Sequence, residues 1–241
     1  MRKKGLWIYN LSNCEGGSPS AIVNRAKAAG LGRVLIKIAD GEDAFNETAP
    51  AIALVQGLHS AGIQAWSWAY SYGSSVETAT AEANFAAHRA LGLGVDGHVI
   101  DAEIEYEVDG SSDWATAHWK EFKRVASGMT LGLTSFWSPL LHPTFPWWGF
   151  FGVDIWNPQI YWADRDPAQT LSTSVSELSA YGAKPIIPIS AATPDVDPTG
   201  TEGMAAFLKQ AAGMDFPSGI DWYDWEDLPE SSWVFIREAV L

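Results

Sequence analysis

The sequence predicts a (β/α)8 barrel, an α/β fold in which eight parallel strands alternate with helices around one closed sheet. Short apolar runs rich in β-branched and aromatic residues recur about every thirty residues, as expected for repeated βα units. Each run is almost continuously apolar, which is typical of parallel strands that are covered on both faces. The eight predicted strands are 6–11, 33–39, 63–72, 98–105, 130–137, 154–162, 184–190 and 219–225.

Helical patterns with start and stop signals lie between these runs. Ser or Asp followed by Pro is a common helix start, and Gly commonly follows the last turn. The clearest helices are 21–29 after Ser18-Pro19, 77–91 after Ser75, and 168–181 after Asp166-Pro167, with Gly30, Gly62, Gly92 and Gly182 as stops. An open doubly wound sheet is the alternative, but it usually carries a Gly-rich turn after its first strand, and residues 10–14 are not one.

Composition limits the function classes. A chain of 241 residues that is 47% hydrophobic can build one large core, so we expect residues 1–241 to form a single catalytic domain. Fifteen basic residues are scattered among 29 acidic ones, giving a formal charge of -14, which argues against nucleic acid or anionic membranes as partners. The one cysteine, Cys14, excludes an internal disulfide.

The first residues contain neither a recognisable secretion signal nor a transmembrane segment. The apolar stretch that follows the basic residues 2–4 is too short for a signal core. We therefore expect a soluble monomer that stays in the cytoplasm or is released by cell lysis.

The segment 99–107 has acids at every second position at the end of the fourth predicted strand. Side chains in a strand alternate faces, so Asp101, Glu103 and Glu105 are predicted to point the same way. Carboxylates on one face of a buried strand repel each other and lose hydration, so a fold tolerates them where they are paired, hydrated or used.

The predicted barrel places this run where barrel enzymes have their sites, at the C-terminal ends of the strands. Polar and aromatic residues from the other strands should converge there, and aromatic rings with one polar edge suit sugars. The candidate substrate-binding residues are Asn10, Lys37, Trp68, Tyr70, Trp137, Gln159, Tyr161, Asp224 and Trp225.

Two carboxyl groups in a barrel mouth suggest glycosidic cleavage, in which one acid protonates the leaving oxygen and a second group attacks or activates water. The proton donor must keep its proton near neutral pH, which burial and neighbouring carboxylates promote. Glu103, flanked by two acids, is the predicted general acid. Asp101 is predicted to tune it or to serve as base, and Glu105 is the reserve candidate.

The sequence Asp101-Ala102-Glu103 at the end of the fourth strand resembles the muramidases of glycoside hydrolase family 25, which cleave the glycan of peptidoglycan. This resemblance implies that Glu103 is the proton donor and Asp101 its partner. That family usually has an Asp in its first strand, where this chain has Asn10.

The same region also resembles the family 18 chitinases, which end this strand with Asp-x-x-Asp-x-Asp-x-Glu, carry a Tyr on the sixth strand and often a Trp on the eighth. Tyr161 and Trp225 match those partners, and the final Glu of the motif falls on either Glu105 or Glu103. The resemblance implies that a substrate N-acetyl group is the nucleophile and that Tyr161 positions it.

A non-catalytic reading stays open beside the enzymatic one. The barrel could bind a glycan or a protein and retain its acids as a charged lining paired with Lys37, and Asn10 in place of an acid favours this alternative. Trp68, Trp137 and Trp225 are equally compatible with core packing. The aromatic residues of 145–151 could form a cleft wall, a lid or a partner surface.

We predict no metal and no cofactor. The Gly92-x-Gly94-x-x-Gly97 pattern precedes a strand, whereas a dinucleotide-binding turn follows one. The segment that begins at Asp195 starts like a calcium loop, but its twelfth position is Ala206 where a Glu is required. The five histidines lack the spacing of metal ligands.

Overall fold

A computed structural model describes residues 2–241 and confirms the barrel. Eight parallel strands form one closed sheet, and a ninth, two-residue strand pairs antiparallel with the second. The strands are β1 (Lys4–Ile8), β2 (Arg33–Asp40), β3 (Asp43–Ala44), β4 (Gln64–Ser71), β5 (Gly97–Ala102), β6 (Thr130–Phe136), β7 (Ile155–Ile160), β8 (Ile189–Ala191) and β9 (Ile220–Tyr223).

The barrel closes because β1 pairs with both β2 and β9. Leu6 lies beside Val34 on one side and beside Trp222 on the other. All the barrel strands are parallel, so their C-terminal ends meet at one mouth.

The helices surround the sheet: α1 (Pro19–Ala28), α2 (Thr48–Ser60), α3 (Val76–Leu93), α4 (Ser111–Val125), α5 (Pro167–Leu178), α6 (Thr201–Ala212) and α7 (Glu230–Glu238). The predicted start signals are confirmed, since Ser18, Ser75 and Asp166 each accept a hydrogen bond from a backbone N–H of the first turn. Gly92 is not the stop of its helix. It lies inside α3, and the left-handed cap is Gly94.

Large side chains fill the barrel lumen. Trp7, Trp66 and Trp68 pack there with aliphatic residues from β2, β5, β7 and β8. Gly97 makes room for this packing, because a Cβ at that position would lie 2.7 Å from the Trp66 ring. The alternate strand residues face the helices and form the larger outer core.

The connection from β6 to β7 contains no α-helix, so residues 2–241 have seven α-helices around eight barrel strands. Phe145, Trp147 and Phe150 are buried against the outer core where a helix would pack, with Phe145 and Phe150 stacked at 5.7 Å between ring centroids. Trp148 and Phe151 face outward and are 61% and 54% exposed. This aromatic connection replaces a helix.

The end of the lumen opposite the mouth holds a buried ion pair. Arg33 at the start of β2 donates to the carboxylate of Asp221 on β9, and the Trp7 Nε1–H donates to the same carboxylate at 3.2 Å. Both charged side chains are at most 2% exposed. Among residues 2–241, none of the helices has the length and apolar character needed to span a membrane.

Candidate active site

The acidic run begins on β5 but does not stay in the strand. Asp101 is buried on β5, which ends at Ala102 instead of Glu105. Glu103 follows outside the strand with φ -131° and ψ -135°, and residues Ile104–Tyr106 form a 3-10 turn. Asp101 and Glu103 therefore face the same side, as the alternation of side chains along a strand predicts. Glu105 lies in the turn and does not follow that alternation.

Asp101 and Glu103 line a small cavity at the barrel mouth with a volume of about 100 Å³. This is well below the roughly 300–1,000 Å³ of pockets that enclose a drug-sized ligand. The lining residues are Trp7, Asp101, Glu103, Thr134, Gln159, Tyr161, Ile189 and Tyr223.

Gln159 links the two acids. Its Nε2 donates to Glu103 Oε1 at 2.8 Å and lies 3.4 Å from Asp101 Oδ1. Gln159 lies on β7, two barrel strands from β5, so the contact crosses the mouth of the barrel. An amide donor holds the two carboxyl groups of a pair close together without adding charge.

Burial raises the pKa of Asp101 well above its usual range, and the neighbouring negative charge of Glu103 raises it further. The ammonium group of Lys37 opposes this shift. The protonated form of Asp101 is thus favoured beside Glu103, and the acid pair can hold a proton.

Glu105 accepts a hydrogen bond from the hydroxyl of Tyr70 at 2.7 Å. Burial and this contact raise the pKa of Tyr70, so the phenol keeps its proton and acts as a donor. Tyr70 lies on β4 next to β5, and its hydroxyl fixes Glu105 at the edge of the mouth.

Lys37 lies in the mouth among aromatic rings, and its ammonium is 2.7 Å from Asp40 Oδ2. The ammonium is 4.3 Å from the centroid of the Tyr9 ring and 4.4 Å from that of Phe45. Asp40 also accepts from the Tyr72 hydroxyl at 2.6 Å. Lys37 is therefore paired with Asp40, and its positive charge affects the acid pair from a distance by opposing the rise in the pKa of Asp101.

Tyr161 and Tyr223 form one wall of the cavity, with ring centroids 5.8 Å apart. Burial raises the pKa of both phenols, so both side chains keep their protons. Trp225, two residues after Tyr223, is buried in the outer core against Trp233 at 4.7 Å.

Four other predicted binding residues lie away from the cavity. Trp68 is packed in the lumen and its Nε1 donates to the Ile8 carbonyl. Trp137 is half-buried under the guanidinium of Arg165, 5.1 Å from the ring centroid. Asn10 accepts from the N–H and hydroxyl of Ser12 and caps the turn after β1.

Asp224, the fourth, is buried at the end of β9, where burial and the nearby charge of Glu226 raise its pKa to about 7. Glu226 itself accepts from the backbone N–H groups of Tyr9 and Asn10 at 3.0 and 2.7 Å. The Glu226 carboxylate, from the turn after β9, thus lies beside Asn10, the position where family 25 usually has an acid.

The predicted site residues do not include four of the lining residues, Trp7, Thr134, Ile189 and Tyr223. Strand register could have found Thr134, because it lies directly beside Asp101 on the neighbouring strand. Trp7 and Ile189 are apolar residues within apolar runs, and only the barrel geometry distinguishes them from other core positions.

No three of the His, Cys, Asp and Glu side chains in residues 2–241 converge as they would around a metal ion. In the segment that resembles a calcium loop, Asp197 instead accepts hydrogen bonds from Trp162 Nε1 and from the N–H and hydroxyl of Thr199. Asp197 therefore joins this loop to the segment that follows β7.

Solved structures share the fold of this chain over nearly its whole length. A GH18 chitinase from Pseudoalteromonas aurantia has a TM-score of 0.71 at 14% identity and matches 96% of this chain and 97% of its own. The apo endo-β-N-acetylglucosaminidase from Cordyceps militaris has a TM-score of 0.69 at 14% identity, over 98% and 89%. A β-D-glucuronidase of Dictyoglomus thermophilum has a TM-score of 0.70 at 13% identity, over 98% and 50%.

The chain has the fold of these glycosidases. No family model matches the sequence, and no curated protein is similar to it. At 14% identity or less, the likeness establishes the barrel fold and leaves the chemistry to be argued from the side chains.

Proposed function

We propose that this protein is a cofactor-independent glycoside hydrolase that cleaves a polysaccharide containing N-acetylhexosamine, such as chitin or the glycan of peptidoglycan. The observation that carries the proposal is the acid pair Asp101 and Glu103, held by Gln159 against a small cavity with two tyrosine hydroxyls. The chitinase and the endo-β-N-acetylglucosaminidase of the same fold support the same substrate class.

The size of the cavity supports an N-acetylated substrate. A volume of about 100 Å³ admits a two-carbon acetamido group but not a whole sugar ring, which would lie above it at the mouth. The hydroxyl groups of Tyr161 and Tyr223 can donate to an amide oxygen, while Trp7 and Ile189 offer apolar contact to a methyl group.

Proton transfer follows from the acid pair. Glu103 is more exposed than Asp101 and faces the mouth, so it donates the proton to the glycosidic oxygen as the bond from that oxygen to the anomeric carbon breaks. Asp101, whose raised pKa keeps a proton in the pair, can orient the nucleophile, and the water that completes hydrolysis gives one proton back to Glu103, which regenerates the acid. That nucleophile is the substrate acetamido oxygen or a water molecule, and water then hydrolyses any covalent intermediate.

A panel of glycans tests the proposal. We expect wild-type protein to release reducing ends from chitin or peptidoglycan but not from α- or β-glucan, and deacetylated chitin to be cleaved poorly. Glu103→Gln should lower the rate by about 10²–10⁴-fold, the range of general acid catalysis. The matched control is Glu202→Gln, an exposed residue of α6.

Two results would contradict parts of this proposal. Unchanged activity in Glu103→Gln would remove the assigned proton donor, and Glu105→Gln would then be tested. Absence of activity on every glycan, with retained binding, would favour a non-catalytic barrel whose acids line a binding surface. That alternative is favoured by Asn10, which caps a local turn where family 25 has an acid.

A further inference from the structure

A second cluster of polar side chains lies behind the acids, between the barrel and helices α3 and α4. Ser71, Glu82, Tyr106 and His118 are each at most 3% exposed. None of them lines the cavity, and the proposed reaction uses none of them. Polar groups buried this deeply are costly unless each finds a partner.

Glu82 of α3 holds the end of β4. Its carboxylate accepts from the Ser71 hydroxyl at 2.6 Å and from the backbone N–H groups of Tyr72 and Gly73, both at 3.2 Å. A carboxylate that accepts three hydrogen bonds from consecutive residues fixes the conformation of that segment.

Ser71 carries the contact to the acidic turn. Because its own hydrogen is donated to Glu82, its oxygen accepts from the Tyr106 hydroxyl at 2.8 Å, and His118 Nδ1 lies 3.2 Å away. Burial lowers the pKa of His118 to about 3, so its ring is neutral and one tautomer can donate to Ser71. The Glu82 carboxylate and the Ser71 and Tyr106 hydroxyls thereby all have partners, which favours a single arrangement.

Two members of the cluster, Ser71 at the end of β4 and Tyr106 in the 3-10 turn, are each one residue along the chain from a residue of the site. Tyr106 follows Glu105 in the 3-10 turn, and its backbone N–H donates to the carbonyl of Glu103 at 3.0 Å. Ser71 follows Tyr70, the donor to Glu105. The same two segments are therefore joined twice, once by Tyr70 and Glu105 and once by the next residues, Ser71 and Tyr106.

The loop after β4 packs closely against the ring of Tyr106. Gly73 has a φ of +69°, and a Cβ there would lie 2.8 Å from the Tyr106 ring and 3.1 Å from that of Trp114. The loop after β4 thus closes directly over this ring. Glycine at position 73 is required for both its backbone angle and its lack of a side chain.

We propose that Glu82, Ser71 and Tyr106 form a buried brace whose role is to position the turn that carries Glu103 and Glu105. The brace links α3, β4 and the turn, so it holds the carboxyl groups relative to the mouth. These are positioning residues, since they touch neither the cavity nor a substrate in it. The catalytic part of this proposal rests on the proposed function.

Hydrogen exchange and kinetics on matched variants test the brace. Tyr106→Phe and Glu82→Gln should accelerate exchange of the Tyr106 and Glu107 backbone amides at least tenfold. The control is Glu177→Gln, because Glu177 of α5 likewise accepts from a serine hydroxyl, Ser138, and a loop N–H, that of Leu140. This control should accelerate exchange near residue 140 and leave the turn unchanged.

In an active enzyme the two brace variants should lower kcat at least tenfold with little change in KM, and Glu177→Gln should not. Unchanged exchange in the turn of both brace variants would overturn the brace itself. Faster exchange with unchanged kcat would overturn its catalytic role. If wild-type protein cleaves no glycan, the proposed function and this catalytic role fail together, and the exchange data alone decide whether the brace holds the turn.

Discussion

Replacing Asp224 with asparagine should remove a pH-dependent part of the stability. Burial raises the pKa of Asp224 from 3.8 to about 7, so the folded protein binds one more proton than the unfolded chain between these values. The free energy of unfolding therefore falls as the pH rises from 4 to 7. A shift of about three pKa units, at 1.36 kcal/mol each, would lower the free energy of unfolding by about 4 kcal/mol. Solvent screening near the barrel mouth reduces the expected loss to about 2–4 kcal/mol.

Asparagine has the same shape and cannot ionise. Asp224→Asn should match the wild type at pH 4 and exceed its stability by about 2–4 kcal/mol at pH 8, measured by urea unfolding at several pH values. Asp101 and the other buried carboxyls remain in both proteins, so the difference isolates Asp224. The exposed Asp164→Asn is the control and should follow the wild type. Parallel stability curves for wild type and Asp224→Asn would refute the reasoning.

Three further predictions concern stability and are checked by denaturant unfolding. Asp221→Asn should cost about 3–5 kcal/mol because it leaves the Arg33 guanidinium buried without its carboxylate, and a loss below 1 kcal/mol would contradict this. Gly97→Ala should cost about 1–3 kcal/mol through its clash with Trp66, whereas Gly92→Ala, in open space in the last turn of α3, should raise stability by about 0.5–1 kcal/mol. Phe150→Ala should cost about 3–5 kcal/mol because Phe150 is buried, and Trp148→Ala should cost less than about 0.5 kcal/mol because Trp148 is exposed. Equal losses of stability would mean that the buried aromatic residues do not take the place of a packed helix.

Much of the fold is predictable from local signals. The eight apolar runs correspond to the eight barrel strands because each must be buried on both faces. Ser75 and Asp166 cap their helices as expected, since an N-cap depends only on residues within one turn. The missing helix after β6 has no such signal, because Phe145 and Phe150 fill its place by long-range packing.

The site was less predictable because it depends on where each strand ends. The 3-10 turn after Ala102 changes the direction of Glu105, and no pattern in the sequence announces that turn. At the end of β9, Tyr223 lines the cavity. Trp225, only two residues later, packs instead against Trp233 in the outer core. Contacts such as Gln159 with Glu103 join residues far apart in sequence, so they exist only once the barrel has formed.

The seam between β1 and β9 has a kinetic consequence. It pairs Lys4 with Ile220, so this pair of strands can form only after residues from opposite ends of the chain have come together. Contacts of such long sequence separation form slowly, because the entropy of closing the chain is lost before they are gained. Glu226 reaches Tyr9 and Asn10 across this seam. The mouth of the barrel is therefore completed late in folding, and we expect the proposed activity to recover after helical structure, with a measurable delay during refolding.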